Sequence, residues 1–129
     1  MNNFKQKYIL VILVFCVTSG CATWDRMVKN YYYSQHPEAR MQEHRQELVD
    51  QHPEWAEQTQ TDILAGTVRI GMTQEQVLAS LGNPYDVNRS VGSWGVHEQW
   101  IYGYYQQDYT FTPSLYLYIE DGILTSFQD

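Results

Sequence analysis

Cysteine, positive charge and long apolar runs are all scarce in this chain. Its 129 residues hold 8 Lys and Arg against 15 Asp and Glu, a formal net charge of −7. A nucleic-acid binder neutralises phosphates with Lys and Arg, so this balance argues against one. The acidic excess is also repelled by anionic headgroups unless a basic patch is local. The apolar run Tyr8 to Val17 is ten residues long, against the about 20 that a membrane-spanning helix needs. There is no glycine-rich phosphate loop, and Ser90 and Ser93 lack a nucleophile-elbow context. The four histidines are His36, His44, His52 and His97. Among them only His44 and Glu47 stand at ligand spacing on a helix, whereas a zinc site needs about three or four ligands. His97 and Glu98 fall side by side on a predicted strand, so their side chains point to opposite faces and make a poor acid–base pair. The pattern argues against an enzyme and calls for no metal or cofactor.

The two cysteines, Cys16 and Cys21, read differently from a disulfide. Lys5 and Lys7 precede the apolar run, and Val17-Thr18-Ser19-Gly20-Cys21 closes it. This is the grammar of an export signal spanning residues 1–20. The small residues before Cys21 resemble a bacterial lipobox, with Thr18 where such boxes usually carry Leu. The resemblance implies that Cys21 becomes the acylated N-terminus, carrying palmitate among its chains, and that Cys16 leaves with the signal. No thiol pair then remains for the oxidising compartment. One acyl chain anchors only marginally, whereas more than one holds firmly. By the same resemblance, Ala22, in place of the aspartate that favours the inner membrane, implies the periplasmic face of the outer membrane.

Residues 21–60 read as a polar, partly helical tether. Trp24, Met27, Val28 and Tyr31 recur at helical spacing, so a turn or two of amphipathic helix is predicted there. Tyr31-Tyr32-Tyr33 either sits at the membrane interface or packs on the domain. The triplet His36-Pro37-Glu38 returns as His52-Pro53-Glu54. Each copy predicts a helix start, because proline suits the first helical position and acids the first turn. Trp55, Ala56, Thr59, Ile63 and Leu64 mark the second of these helices, with Gly66 closing it.

The folded domain is predicted over residues 61–129. Thr73-Gln74-Glu75-Gln76 is a capping box. Val77, Leu78 and Leu81 then form one helical face, and Gly82-Asn83-Pro84 ends the helix. Strands are predicted over Val96–Tyr105, from Tyr109 or Leu115 to Glu120, and over Ile123–Gln128. Asp121-Gly122 marks a two-residue hairpin. Its register sets Ile119 opposite Leu124, Tyr118 opposite Thr125 and Tyr116 opposite Phe127. One face then holds Leu115, Leu117, Ile119 and Leu124, and the other Tyr116, Tyr118, Ile123 and Phe127. The helix bearing Val77 and Leu81 is expected on the aliphatic face.

Eleven tyrosines and four tryptophans either fill a small core and rim or build an interface. Tyr116, Tyr118 and Phe127, with Tyr104 and Tyr109 in the preceding loop, are the candidate partner-binding residues.

Arg69-Ile70-Gly71-Met72-Thr73-Gln74-Glu75-Gln76-Val77 and Leu81-Gly82-Asn83-Pro84 resemble the SmpA/OmlA family of small, BamE-like outer-membrane lipoproteins. Glu98 to Tyr102, Tyr116 to Glu120 and Gly122 to Thr125 add to the likeness, which begins near Ile63. Val87–Gly95, read as a loop, and Gly103–Tyr109 lie outside it. The resemblance implies an α+β fold with two helices on a three-stranded antiparallel sheet, as in β-lactamase-inhibitor-like modules. It also implies an accessory role in outer-membrane protein assembly or envelope integrity, exercised by contact with an envelope protein. The other reading from the residues is a ligand- or inhibitor-binding module using the aromatic sheet face.

Overall fold

The computed structural model describes residues 21–129. The export signal expected over residues 1–20, with Lys5, Lys7 and Cys16, lies outside the described residues. Two compact units follow one another along the chain, one ending at Met41 and the other spanning Gln42–Asp129.

In the first unit, α1 (Cys21–Gln35) is a continuous helix, longer than the turn or two expected. Met27, Val28 and Tyr31, from its predicted apolar stripe, are exposed. Lys29 Nζ lies 5.7 Å above the Tyr33 ring. α2 (Pro37–Gln51) begins on the first His-Pro-Glu triplet, as the sequence predicts.

The second copy behaves otherwise. His52-Pro53-Glu54 forms a turn, and α3 begins at Glu57 (Glu57–Ala65) rather than at Pro53 as expected. The reason is Trp55, which is buried and stacks on the His52 ring at 4.3 Å. A helix continuing from Pro53 is replaced by a bend that turns this indole inward.

α4 (Gln74–Leu81) carries the predicted capping box. Gln76 N–H donates to Thr73 Oγ1 at 3.3 Å, and Thr73 N–H donates back to Gln76 Oε1 at 3.0 Å. The helix buries Val77, Ala79 and Ser80. Leu78, expected on the core face, is partly exposed instead. α4 is buried on two sides, with Val77 facing the sheet and Ala79 facing α2 and α3. One helical stripe therefore cannot describe its burial.

The fold is α+β, but the sheet has four strands rather than three, in the order β1-β2-β3-β4, antiparallel throughout. They are β1 (Asp86–Gly92), β2 (Gly95–Tyr105), β3 (Phe111–Glu120) and β4 (Ile123–Gln128). The expected loop Val87–Gly95 is a hairpin, with Asp86–Gly92 pairing from Asp86↔Ile101 to Gly92↔Gly95. Six of its seven residues are exposed, so β1 shows no buried alternation from which a strand could be read. Among the described residues there are four helices, where two were expected on the sheet.

Two hydrophobic clusters hold the second unit. Met72, Val77, Trp100, Leu117, Ile119 and Leu124 are buried between α4 and the sheet, with Leu81 and Leu115 packed against them. Val49, Trp55, Ile63 and Ala79 form the other cluster. Val49 and Trp55 come from the stretch expected to be a tether, so the compact unit starts well before residue 61. Arg45 ties α2 down further, its Nε donating to the Ser80 carbonyl at 2.8 Å.

The segment after α3 runs along the free edge of β4. Gly71 N–H donates to Leu124 O and Leu124 N–H to Met72 O, both at 2.8 Å, and Gln74 N–H donates to Gly122 O at 3.0 Å. The Arg69–Val77 motif thus caps one side of the sheet before starting α4.

Candidate functional site

Asp121 and Gly122 adopt φ of 47° and 84°, the positive values a two-residue hairpin turn requires. Glu120 opposes Ile123, and Ile119 opposes Leu124 as predicted. The register then shifts by one residue. Tyr118 opposes Ser126, Leu117 opposes Phe127 and Tyr116 opposes Gln128. Thr125 is the extra residue, and its hydroxyl donates to the Tyr118 carbonyl at 3.1 Å. Opposed residues share a face. The bulge therefore moves Phe127 to the side of Leu117, away from Tyr116 and Tyr118, where it is 45% exposed. It drops out of the candidate aromatic face.

Tyr116 and Tyr118 keep their places opposite the helix-covered side. Cross-strand pairing sets Ile101 beside Tyr116 and Gln99 beside Tyr118. The Gln99 amide donates to the Tyr118 hydroxyl at 3.2 Å, and Asn88 Nδ2 donates to Gln99 Oε1 at 3.1 Å. This polar chain fixes the Tyr118 ring across three strands. Both tyrosines are only half-buried, and neither hydrophobic cluster of the unit includes a residue of this face.

The face continues into an aromatic cluster that the sequence reading missed. Tyr105 opposes Phe111, and Tyr85 stacks on Phe111 at 3.7 Å with 14° between the rings. Tyr105 meets both edge-on, at 5.5 and 5.9 Å. Phe111 can lie here because the strand beneath it carries Gly103. A Cβ at that position would stand 2.7 Å from the ring's Cζ and would also strike the Thr112 carbonyl. The Tyr85 hydroxyl beside Tyr105 raises the latter's phenol above its ordinary value. Tyr85 directly follows the proline that ends α4, and only the return of β1 brings it to Phe111.

The two loop candidates part company. Tyr104 alternates with Tyr105 and so projects to the opposite side. Tyr109 sits at the tip of the β2–β3 connection with φ 64°, 88% exposed. Asp108 Oδ1 accepts from the Thr110 amide at 3.0 Å, which holds its carboxyl below the ordinary range and fixes the tip.

Beside the polar chain lies a groove of about 390 Å³, lined in part by Asn88, Ser90, His97, Gln99, Tyr118 and Glu120. A second groove, of about 420 Å³, lies between α2 and α4, with His44, Leu48, His52, Trp55, Glu75 and Leu78 in its wall. His52 Nδ1 sits 2.7 Å from Glu54 Oε1, which lowers the Glu54 pKa, and its Nε2 is 3.7 Å from Glu75. No group of three metal-ligating side chains occurs among the described residues.

On the helix side, Glu98 is the best-held carboxylate. It accepts from Trp100 Nε1 at 2.9 Å and from the Gln74 amide, and pairs with Arg89 Nε at 3.0 Å. Its side chain is 12% exposed. His97 and Glu98 face opposite ways, as their adjacency on a strand predicts. The side chain of Cys21 is not among the features described, and no described helix is long and apolar enough to cross a membrane.

No protein-family model, curated protein or solved structure matches the chain.

Proposed function

We propose that this chain is a lipoprotein of the bacterial envelope that works by contact with another protein and has no enzymatic activity. Acyl chains on Cys21 hold it to the periplasmic face of the outer membrane, and its partner is an envelope protein. The capped segment Arg69–Pro84 and the hairpin at Asp121-Gly122 support a fold of the SmpA/OmlA type, here widened by β1. On that reading the protein is an accessory factor in outer-membrane protein assembly or envelope integrity.

The observation that carries the proposal is the aromatic face of the sheet. Tyr116 and Tyr118 stand half-exposed at its centre and Tyr85, Tyr105 and Phe111 at its end. Tyrosines combine apolar area with a polar tip at low entropic cost, and a few such anchors dominate interface energies. Residues 90–129 also contain no Lys or Arg, so this part of the surface suits a neutral or basic partner.

Two substitutions test the reading. Tyr116→Ser with Tyr118→Ser should abolish co-purification of the partner from solubilised membranes and leave the melting temperature nearly unchanged. A large fall in melting temperature would assign these rings to a core and end the interface proposal. Cys21→Ser should release the protein from the outer-membrane fraction or leave the signal uncleaved. Unchanged fractionation and mature mass would remove the anchor. The groove along Asn88, His97 and Tyr118 favours a second reading, ligand binding on the same face, which predicts a small molecule rather than a protein in the purified sample.

A further inference from the structure

The two edges of the sheet are treated differently. The β4 edge is covered at its start, where Gly71 and Gln74 donate to the Leu124 and Gly122 carbonyls and the Met72 carbonyl accepts from Leu124. Among the described residues no strand pairs with the outer edge of β1, and every residue of it but Gly92 is exposed. An unpaired strand edge is a template for another strand, and proteins ordinarily block it with proline, lysine or an inward-turned charge. β1 has no proline and no lysine. Its one cation, Arg89, is drawn back onto Glu98 at 3.0 Å. Its charge is matched by Glu98 on the neighbouring strand, so it leaves no unpaired cation to repel a basic strand at the edge.

The hairpin geometry shows which groups are free. A two-residue loop at Ser93-Trp94 makes Gly92 and Gly95 a hydrogen-bonded pair, and such pairs alternate along an antiparallel ladder. Asn88 and Ser90 then bond inward to β2, while Val87, Arg89 and Val91 turn their backbone groups outward. The Val87 N–H donates to Asp86 Oδ1 at 2.9 Å, which leaves the Val87 carbonyl and the N–H and C=O of Arg89 and Val91 for a further strand. Val87 and Val91 lie on one face of the strand at 41% and 62% exposure. Trp94, also exposed, lies over Gly92, where its ring fills the place of a Cβ, and so stands on the opposite face from Val87 and Val91.

We propose that β1 is a strand-addition site that takes an extended segment of another protein, apolar on one side and basic on the other. The outward N–H and C=O groups supply the ladder, and Val87 and Val91 supply the cross-strand apolar contacts. The basic side follows from charge. Asp86 opens the strand. Asp121 Oδ1 accepts from Val96 N–H at 2.8 Å beside its closing hairpin. Arg89 is the last cation in the sequence and is already paired. A second copy of this chain is a poor occupant, since two molecules of net charge −7 repel. The site lies on the sheet edge rather than on its aromatic face, and it requires no acyl anchor, so it stands apart from the function proposed above.

The test uses the full chain in detergent and three synthetic seven-residue peptides. One alternates valine with lysine, one alternates valine with glutamate, and one is the first with a central proline. The lysine peptide should bind, slow amide exchange at Arg89 and Val91, and leave the inward amides of Asn88 and Ser90 unchanged. Val91→Pro removes one outward donor without breaking the β1–β2 ladder and should weaken binding at least tenfold. Val87→Lys, which keeps every backbone donor and adds a repelling charge, should do the same if the proline variant fails to fold. Failure of the lysine peptide to bind, or binding without protection of the Arg89 and Val91 amides, overturns the proposal. Equal binding of the glutamate peptide overturns its basic side. A concentration-dependent dimer abolished by Val87→Lys makes the occupant a second copy and overturns the stated partner. Each of these results leaves the co-purification test of Tyr116 and Tyr118 unaffected.

Discussion

The Tyr102 hydroxyl donates to the Gly82 carbonyl at 3.0 Å, joining β2 to the end of α4. Burial pushes this phenol far above its ordinary value of 10.0. The folded state thus holds the proton more tightly than the unfolded chain. Its contribution to stability is complete below pH 10.0 and is lost as pH rises above that value towards the folded pKa. Tyr102→Phe should lower the melting temperature by about 4–8 °C at neutral pH, for a hydrogen bond worth about 1 kcal/mol. It should also flatten the fall in melting temperature above pH 10.0. An alkaline limb that is equally steep in the variant would mean that some other group sets it. Leu117, fully buried in the cluster that holds Val77 and Trp100, belongs to a different class. Leu117→Ala should cost about 2–5 kcal/mol by transfer and cavity terms, measured by denaturant unfolding.

At the scale of elements, α4 depends on its first turn. Only eight residues long, it is too short to persist on propensity alone, and its start must meet β4 in register. The same residues do both jobs. Thr73 caps the helix and bridges to Ile123, while Gln74 donates to Gly122. Thr73→Ala should cost about 0.5–2 kcal/mol. It should also raise amide exchange at Gly71 and Leu124, whose bonds close the β4 edge. A stability loss without faster exchange there would show that cap and edge are independent. The bulge at Thr125 works at this scale too. One extra residue in β4 carries Phe127 to the helix side and leaves Tyr116 and Tyr118 as the aromatic centre of the other face.

For the whole molecule, the boundary of the compact unit at Gln42 has a direct consequence. A chain beginning at Gln42 should melt cooperatively near the temperature of the full chain. One beginning at Thr61 loses Val49 and Trp55 from the second cluster, at about 1.5–3 kcal/mol for each buried side chain. It should melt well below both, as read by circular dichroism. Equal melting of the two truncations would show that α2 adds nothing to this core.

The capping box, the Asp121-Gly122 turn and the aliphatic face of β3 were legible in the sequence, because each is set by neighbours in the chain. Thr73 and Gln76 satisfy one another across three residues, and a two-residue turn fixes the pairs next to it. The same local logic placed Tyr116 and Tyr118 together. Tertiary structure decided the rest. β1 carries no period-two burial and exists as a strand only because β2 pairs with it. Trp55 turned an expected helix start into a bend by being buried against residues of α2 and α3. Tyr85 joined the neighbouring pair Tyr105 and Phe111 only because β1 returns along β2, with Gly103 leaving room for the Phe111 ring. A single unpaired residue, Thr125, reversed the side on which Phe127 stands. A period of two carries no memory of an inserted residue, so only the completed ladder could fix that face.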